Sequence, residues 1–271
     1  MVRAGFNPGR RSRNIGTARQ GHGQDNSLVI PDFAASYRTW NSRLNKHQVV
    51  RRSVGEQTIT FFVEDNTGGC QHACSVDDVC HVLSHLPPAD WEGLETIVLR
   101  QSTKKQRLLD KTWGRMFYFA DLGDQRGRSI TFGPAIFLEA TDPIAKLNWS
   151  SSLDPDDQAE LNRLKEDGHI IEKVGRRHVF QMTLASVRAT QLYSTLLHEI
   201  GHWVDWLERV ERPRDQGEDY DALYDAFFNR PKAEREAFAH RYADLARERL
   251  KQSGVIPFEP LSLIFSPKAP R

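Results

Sequence analysis

The residues of this 271-residue chain whose types and spacing most directly imply chemistry are two histidines four positions apart, with a glutamate between them: His198-Glu199-Ile200-Gly201-His202. On a helix, positions i and i+4 lie one turn apart on the same face, so both imidazoles can meet one metal ion. Glu199 lies about 100° around the helix from His198. From there a carboxylate can take a proton from the water that the metal activates without being a ligand itself. Zinc lowers the pKa of such a water to about 7, so a nucleophile forms at neutral pH. The chemistry implied is zinc-assisted hydrolysis with Glu199 as general base. In a chain of this composition a chance match is expected roughly once in fifty sequences. The neighbours Leu196, Leu197, Ile200, Gly201, Trp203 and Val204 are also uncharged, as a metal site in a low-dielectric cleft requires.

A catalytic zinc site needs a third protein ligand and an open fourth position. The position six residues after His202 is Glu208, and Asp205 stands where a glycine would be required, which excludes the metzincin arrangement. The last helix offers Glu234 and Glu236, which lie about 200° apart around its axis and cannot both face one ion. Glu236 is followed by the small or apolar Ala237, Phe238 and Ala239 and is the expected ligand. Glu234, in the first turn where a helix dipole favours a solvated carboxylate, is the alternative. His240 shares a face with Glu236 and is the second catalytic candidate: it could hydrogen-bond the ligand or polarise a substrate carbonyl, or be a surface or core histidine. Asp205 is placed either to orient His202 or as a carboxylate on the helix surface. Tyr193 falls off the metal-facing side and is expected in the core.

His198-Glu199-Ile200-Gly201-His202 with the downstream Glu236-Ala237-Phe238-Ala239 resembles the gluzincins, and most closely the minimal bacterial metallopeptidases of the ImmA/IrrE type. The resemblance covers about 60 residues, from the active helix to the last one, with a longer connection between the motifs than that group has. It implies a zincin-like fold, a Glu as third ligand to Zn2+, and cleavage of peptide bonds. Peptidases of this class hold an extended substrate on an edge strand beside the metal. The segment Arg177 to Met182, or one of the strands between Arg115 and Glu139, is the expected edge.

These residues must be positioned by a scaffold, and the pattern of the chain predicts one. Leu192, Leu196, Ile200, Trp203 and Leu207 recur at helical spacing and predict a helix from about Ala185 to Glu208. Pro231 and Gly254 bracket the last helix. Ser75, Asp77 and Asp78 start a helix that ends before Pro87-Pro88, and Asp154, Pro155 and Gly168 mark another. Alternation predicts strands over Thr58 to Val63, Ile97 to Arg100, Arg115 to Ala120, Ser129 to Phe132 and Ala135 to Glu139, and a hairpin around Gly175. Glu211 to Asp221 reads as a polar connection. The fold class expected is α+β: a mostly antiparallel sheet packed on the active-site helix, with the C-terminal helix supplying the third ligand. The expected organisation is a disordered basic tail over 1–27, a catalytic domain over 28–254 and an extended tail over 255–271. Within the domain, 28–184 is the sheet-rich part and 185–254 the metal-binding helices.

Composition limits the alternatives. A net charge of +1 gives no global field favouring nucleic acid or membrane. Residues 1–55, however, hold ten Lys or Arg against two Asp, so this end offers a route to nucleic acid, a docking tail or a transit peptide. No stretch is long and apolar enough for a membrane helix, and no secretory signal follows the basic start. The cysteines, Cys70, Cys74 and Cys80, are an odd number and imply a reducing compartment, the cytoplasm. With His72 and His81 they could bind a second metal, although the paired C-x₂-C knuckles of structural zinc sites are missing. The expected partner is a peptide or protein substrate. The competing expectation is a non-catalytic, metal-bound interaction module, against which Glu199 speaks, because a structural site needs no general base.

Overall fold

The computed structural model describes residues 43–103, 106–107, 112–144, 147–153 and 155–261. The expected basic tail over 1–27, the start of folded sequence near Leu28, the Asp154 cap and the proline-rich end from 262 lie outside them. The fold is α+β, as the periodicities imply. Eight strands are described: β1 (His47–Val54), β2 (Gln57–Glu64), β3 (Thr96–Arg100), β4 (Gly114–Gly123), β5 (Ser129–Glu139), β6 (Leu147–Ser150), β7 (Ile170–Val174) and β8 (Arg177–Gln181). The first five form one sheet in the order β1-β2-β3-β5-β4, and the last three form another in the order β6-β8-β7. Most pairings are antiparallel, but β3 runs parallel to both β2 and β5. The run Thr96 to Arg100 is buried throughout, as a central parallel strand requires.

The helices are α1 (Val76–Ser84), α2 (Pro155–Glu166), α3 (Leu184–Thr190), α4 (Leu196–Trp206), α5 (Arg212–Asp215), α6 (Tyr220–Asn229) and α7 (Lys232–Gln252). Ser75 and Asp78 cap α1 reciprocally, side chain to backbone, so the sequence signal there is a true capping box. Gly168 and Gly254 stand just past α2 and α7 at φ +90° and +70°, the left-handed region in which glycine ends a helix. The expected helix over 185–208 is longer than its periodicity suggests. π-helical turns over Gln191–Thr195 and Leu207–Glu211 join α3, α4 and α5 with helical backbone at each junction. Such turns add a residue without ending the helix, so strict 3.6 counting loses its path. Ser129 to Phe132 and Ala135 to Glu139, expected as separate strands, form one strand, β5.

One face of the large sheet carries Phe61, Val63, Ile97, Leu99, Ile136 and Leu138 against α1 and α4, where Val79, Val82, Leu196, Ile200 and Val204 complete the main core. The opposite face carries a smaller cluster around Phe62, Val98, Phe137 and Leu44. α4 is thereby clamped between the sheet and α7. The α7 side of this clamp is a seam of small residues: Ala239, Ala243 and Ala246 are buried, and a Cβ on Gly201 would lie 2.9 Å from the Ala239 Cα and carbonyl oxygen. Gly201→Ala is therefore expected to push α7 away from α4, cost about 1–3 kcal/mol by overpacking, and weaken metal binding along with stability. Urea melts and zinc titration of the variant check both effects. Unchanged metal affinity would mean that the spacing of these helices does not govern the site.

Candidate metal centre

The motif histidines project from α4 and Glu236 from the second turn of α7, and their ligating atoms converge. The two Nε2 atoms lie 3.1 Å apart, with ring planes at 88°. Glu236 Oε2 stands 3.3 Å from His198 Nε2 and 3.5 Å from His202 Nε2. A tetrahedral ion with ligands at 2.0–2.1 Å separates them by about 3.3–3.4 Å, so the donor set fits zinc in spacing as well as in chemistry. Among the described residues this is the group of His, Cys, Asp and Glu gathered closely enough to hold a metal. Hydrogen bonds to both imidazoles hold the Glu236 carboxyl well below the usual carboxylate range, so it is an anion available to a cation.

Glu234, the alternative ligand, is turned away: its side chain is 60% exposed and pairs with Arg230. His240 lies beside the site, its ring centroid 4.4 Å from that of His198, with its side chain open to solvent. Asp205 matches neither expectation. It is fully buried and accepts hydrogen bonds from Arg209 Nε and Arg230 Nη1 at 2.8 and 2.7 Å, so its partners are arginines. The Arg230 contact ties α4 to the turn that precedes α7. A second buried pair, Arg247 with Asp167 at 2.7 Å, ties the later part of α7 to the end of α2, and Arg247 also donates to Ser194 in the π turn before α4. The helix carrying Glu236 is thus pinned near both ends, by partners too far apart in sequence for spacing to reveal.

Glu199 is buried, on the same helix but off the ligand face. Burial pushes its carboxyl up to about 7, against the opposing effects of His198 and of the Met116 backbone N–H that donates to it. Met116 belongs to β4, which pairs only with β5 in the large sheet and so forms its edge. Among the described residues, the one isolated bridge to β4 is that of Arg43 to Gly123, at its far end. The expectation of an edge strand between Arg115 and Glu139 is met by β4, whereas Arg177 to Met182 contains β8, which lies between β6 and β7 with both sides occupied. A cleft of about 390 Å³ opens beside the site, lined by His198, Glu199, His240, Trp113, Arg163 and Arg247 among others. Tyr193, expected in the core, is 6% exposed and accepts the Phe258 N–H, although its edge also reaches this cleft.

The cysteines do not gather. Cys70 and Cys74 are buried and Cys80 half-buried; Cys74 Sγ lies 3.8 Å from the Gln191 side-chain oxygen, and His72 Nε2 bonds the Glu64 carbonyl. His81 instead packs against His85 and Phe258. Burial pushes the Cys74 and Cys80 thiols up to about 12, which disfavours the thiolate a metal needs. No described helix is long and apolar enough to cross a membrane. No known family model, curated protein or solved structure matches the chain.

Proposed function

We propose that this chain is a zinc-dependent hydrolase that cleaves peptide bonds, a gluzincin-like metallopeptidase in which His198, His202 and Glu236 hold the metal. The observation that carries this proposal is the buried carboxylate of Glu199, one residue from a proposed ligand and outside the ligand set, facing an open cleft and lying near β4, the last strand of the large sheet among the described residues. When bound, zinc would act as a Lewis acid that polarises a carbonyl and acidifies water. Glu199 takes the proton of the attacking water. The water oxygen adds to the carbonyl carbon, the C–N bond breaks, and Glu199 passes the proton to the leaving amine. The Met116 backbone N–H favours the charged form of the Glu199 carboxylate, the form that accepts a proton. His240, on the cleft wall beside His198, is placed to donate to the carbonyl oxygen as charge develops there.

The edge of β4 supplies the binding mode. An extended peptide can add to it as a further strand through main-chain hydrogen bonds, with its reactive bond beside Glu199. A non-catalytic metal module would close its site with a fourth protein ligand and would not need to bury an extra carboxylate. Removal of zinc by chelation is expected to abolish cleavage of peptide mixtures, and stoichiometric zinc to restore it, as read by mass spectrometry of the products. Cleavage that persists in the metal-free protein would contradict the proposal.

A further inference from the structure

Resting on the peptidase reading above, we propose that Phe119, Phe132 and Tyr224 form an apolar subsite that selects peptides with a bulky aromatic side chain about three residues from the bond that is cut. β4 runs alongside α4 in the same sense: Met116 meets Glu199, the Tyr118 hydroxyl lies 3.5 Å from the His202 carbonyl oxygen, and Phe119 reaches Trp206. At about 3.3 Å per residue, Phe119 sits roughly 10 Å along the edge from Met116. A peptide added to that edge advances at the same rate, so a side chain some three residues from the reacting carbonyl arrives at Phe119.

The direction of Phe119 is set by an irregularity. Strict alternation would send neighbouring side chains to opposite faces of the sheet, yet Tyr118 and Phe119 both contact Trp206, at 5.0 and 5.4 Å between ring centroids. The register of β4 on β5 shifts between Phe117 and Ala120, and such a bulge re-aims a side chain. Phe119 thereby joins Tyr224 of α6 at 6.0 Å and stacks on Phe132 of β5 at 6.5 Å, over a floor made by the buried Trp206. Phe119 remains 41% exposed and Phe132 68% exposed, a contiguous aromatic surface that spans β4, the strand proposed to bind substrate, and its neighbour β5. Beyond Glu199 in the other direction, the cleft is lined by Glu160, Arg163, Asp244 and Arg247. The two ends of the proposed substrate track differ in chemistry, which gives the track a direction.

The test uses the zinc-loaded full chain and pairs of decapeptides that differ only by Phe or Ala at successive positions. Wild type is expected to prefer Phe by about tenfold in kcat/KM at one position, and Phe119→Ser/Phe132→Ser to bring that ratio near one. Phe132→Ser alone, at the more exposed ring, serves if the double variant does not fold. The same ratio is measured as Kd in zinc-loaded Glu199→Gln with fluorescent peptides. Cleavage without a Phe preference, or a preference that survives both variants, overturns the subsite and leaves the peptidase reading standing. A Phe-dependent Kd that the variants abolish, without cleavage by wild type, supports the subsite and overturns the peptidase reading. Absence of both overturns both. If the variants turn a dimer into a monomer in light scattering while the Phe ratio persists, the surface belongs to a second copy of the chain and the subsite is wrong.

Discussion

Glu199→Gln is expected to lower the rate of peptide hydrolysis by about 10²- to 10⁴-fold, the usual contribution of a positioned general base, while leaving zinc content and stability near wild type. Gln keeps the size of the side chain and a carbonyl oxygen, so the buried packing around position 199 survives. What it removes is the proton acceptor. Since Glu199 lies outside the ligand set, metal affinity should not follow activity. Rates on any peptide that the wild type cleaves, measured beside metal content, separate the two effects. Full activity in the variant would remove Glu199 from the mechanism.

Glu236→Ala should have the opposite signature, with the loss appearing first in the metal. Only His198 and His202 then remain as ligands, with their Nε2 atoms 3.1 Å apart. Zinc affinity is expected to fall by more than the roughly 10- to 100-fold that outer-shell substitutions cause, with activity falling alongside. Glu234→Ala is the internal control, because that side chain is 60% exposed and turned to Arg230. Competition against a chromogenic chelator measures both variants. Comparable losses in the two would mean that the choice between these glutamates is wrong.

The legible part of this site was the part with local causes. The i, i+4 histidines and the apolar stripe through Leu192, Leu196 and Ile200 place two candidate ligands on one helix, and the small residues after Glu236 favour it over Glu234 as the third. Caps written into a few adjacent residues, as at Ser75 and Asp78, were equally plain. What escaped depends on partners far away in sequence. The Asp205–Arg230 and Asp167–Arg247 pairs join positions 25 and 80 residues apart. β1 reads as a polar segment because it is an edge strand, exposed over most of its length. The parallel placement of β3 between β2 and β5 comes from crossovers that no strand pattern encodes. α6, which begins at the end of the polar connection Glu211 to Asp221, went unread because only Phe227 is fully buried, although Asp219 caps it by accepting from the Asp221 and Ala222 amides. Gly201 was visible as an uncharged motif position, but its role in letting α7 approach needed the structure.

The most direct measurement is anomalous diffraction at the zinc edge from crystals of the zinc-loaded full-length protein. A single strong peak is expected, bound by His198 Nε2, His202 Nε2 and a Glu236 oxygen at about 2.0–2.2 Å, with one position open toward the cleft. A peak at the cysteines instead, a fourth protein ligand closing the site, or no peak at all would contradict that expectation.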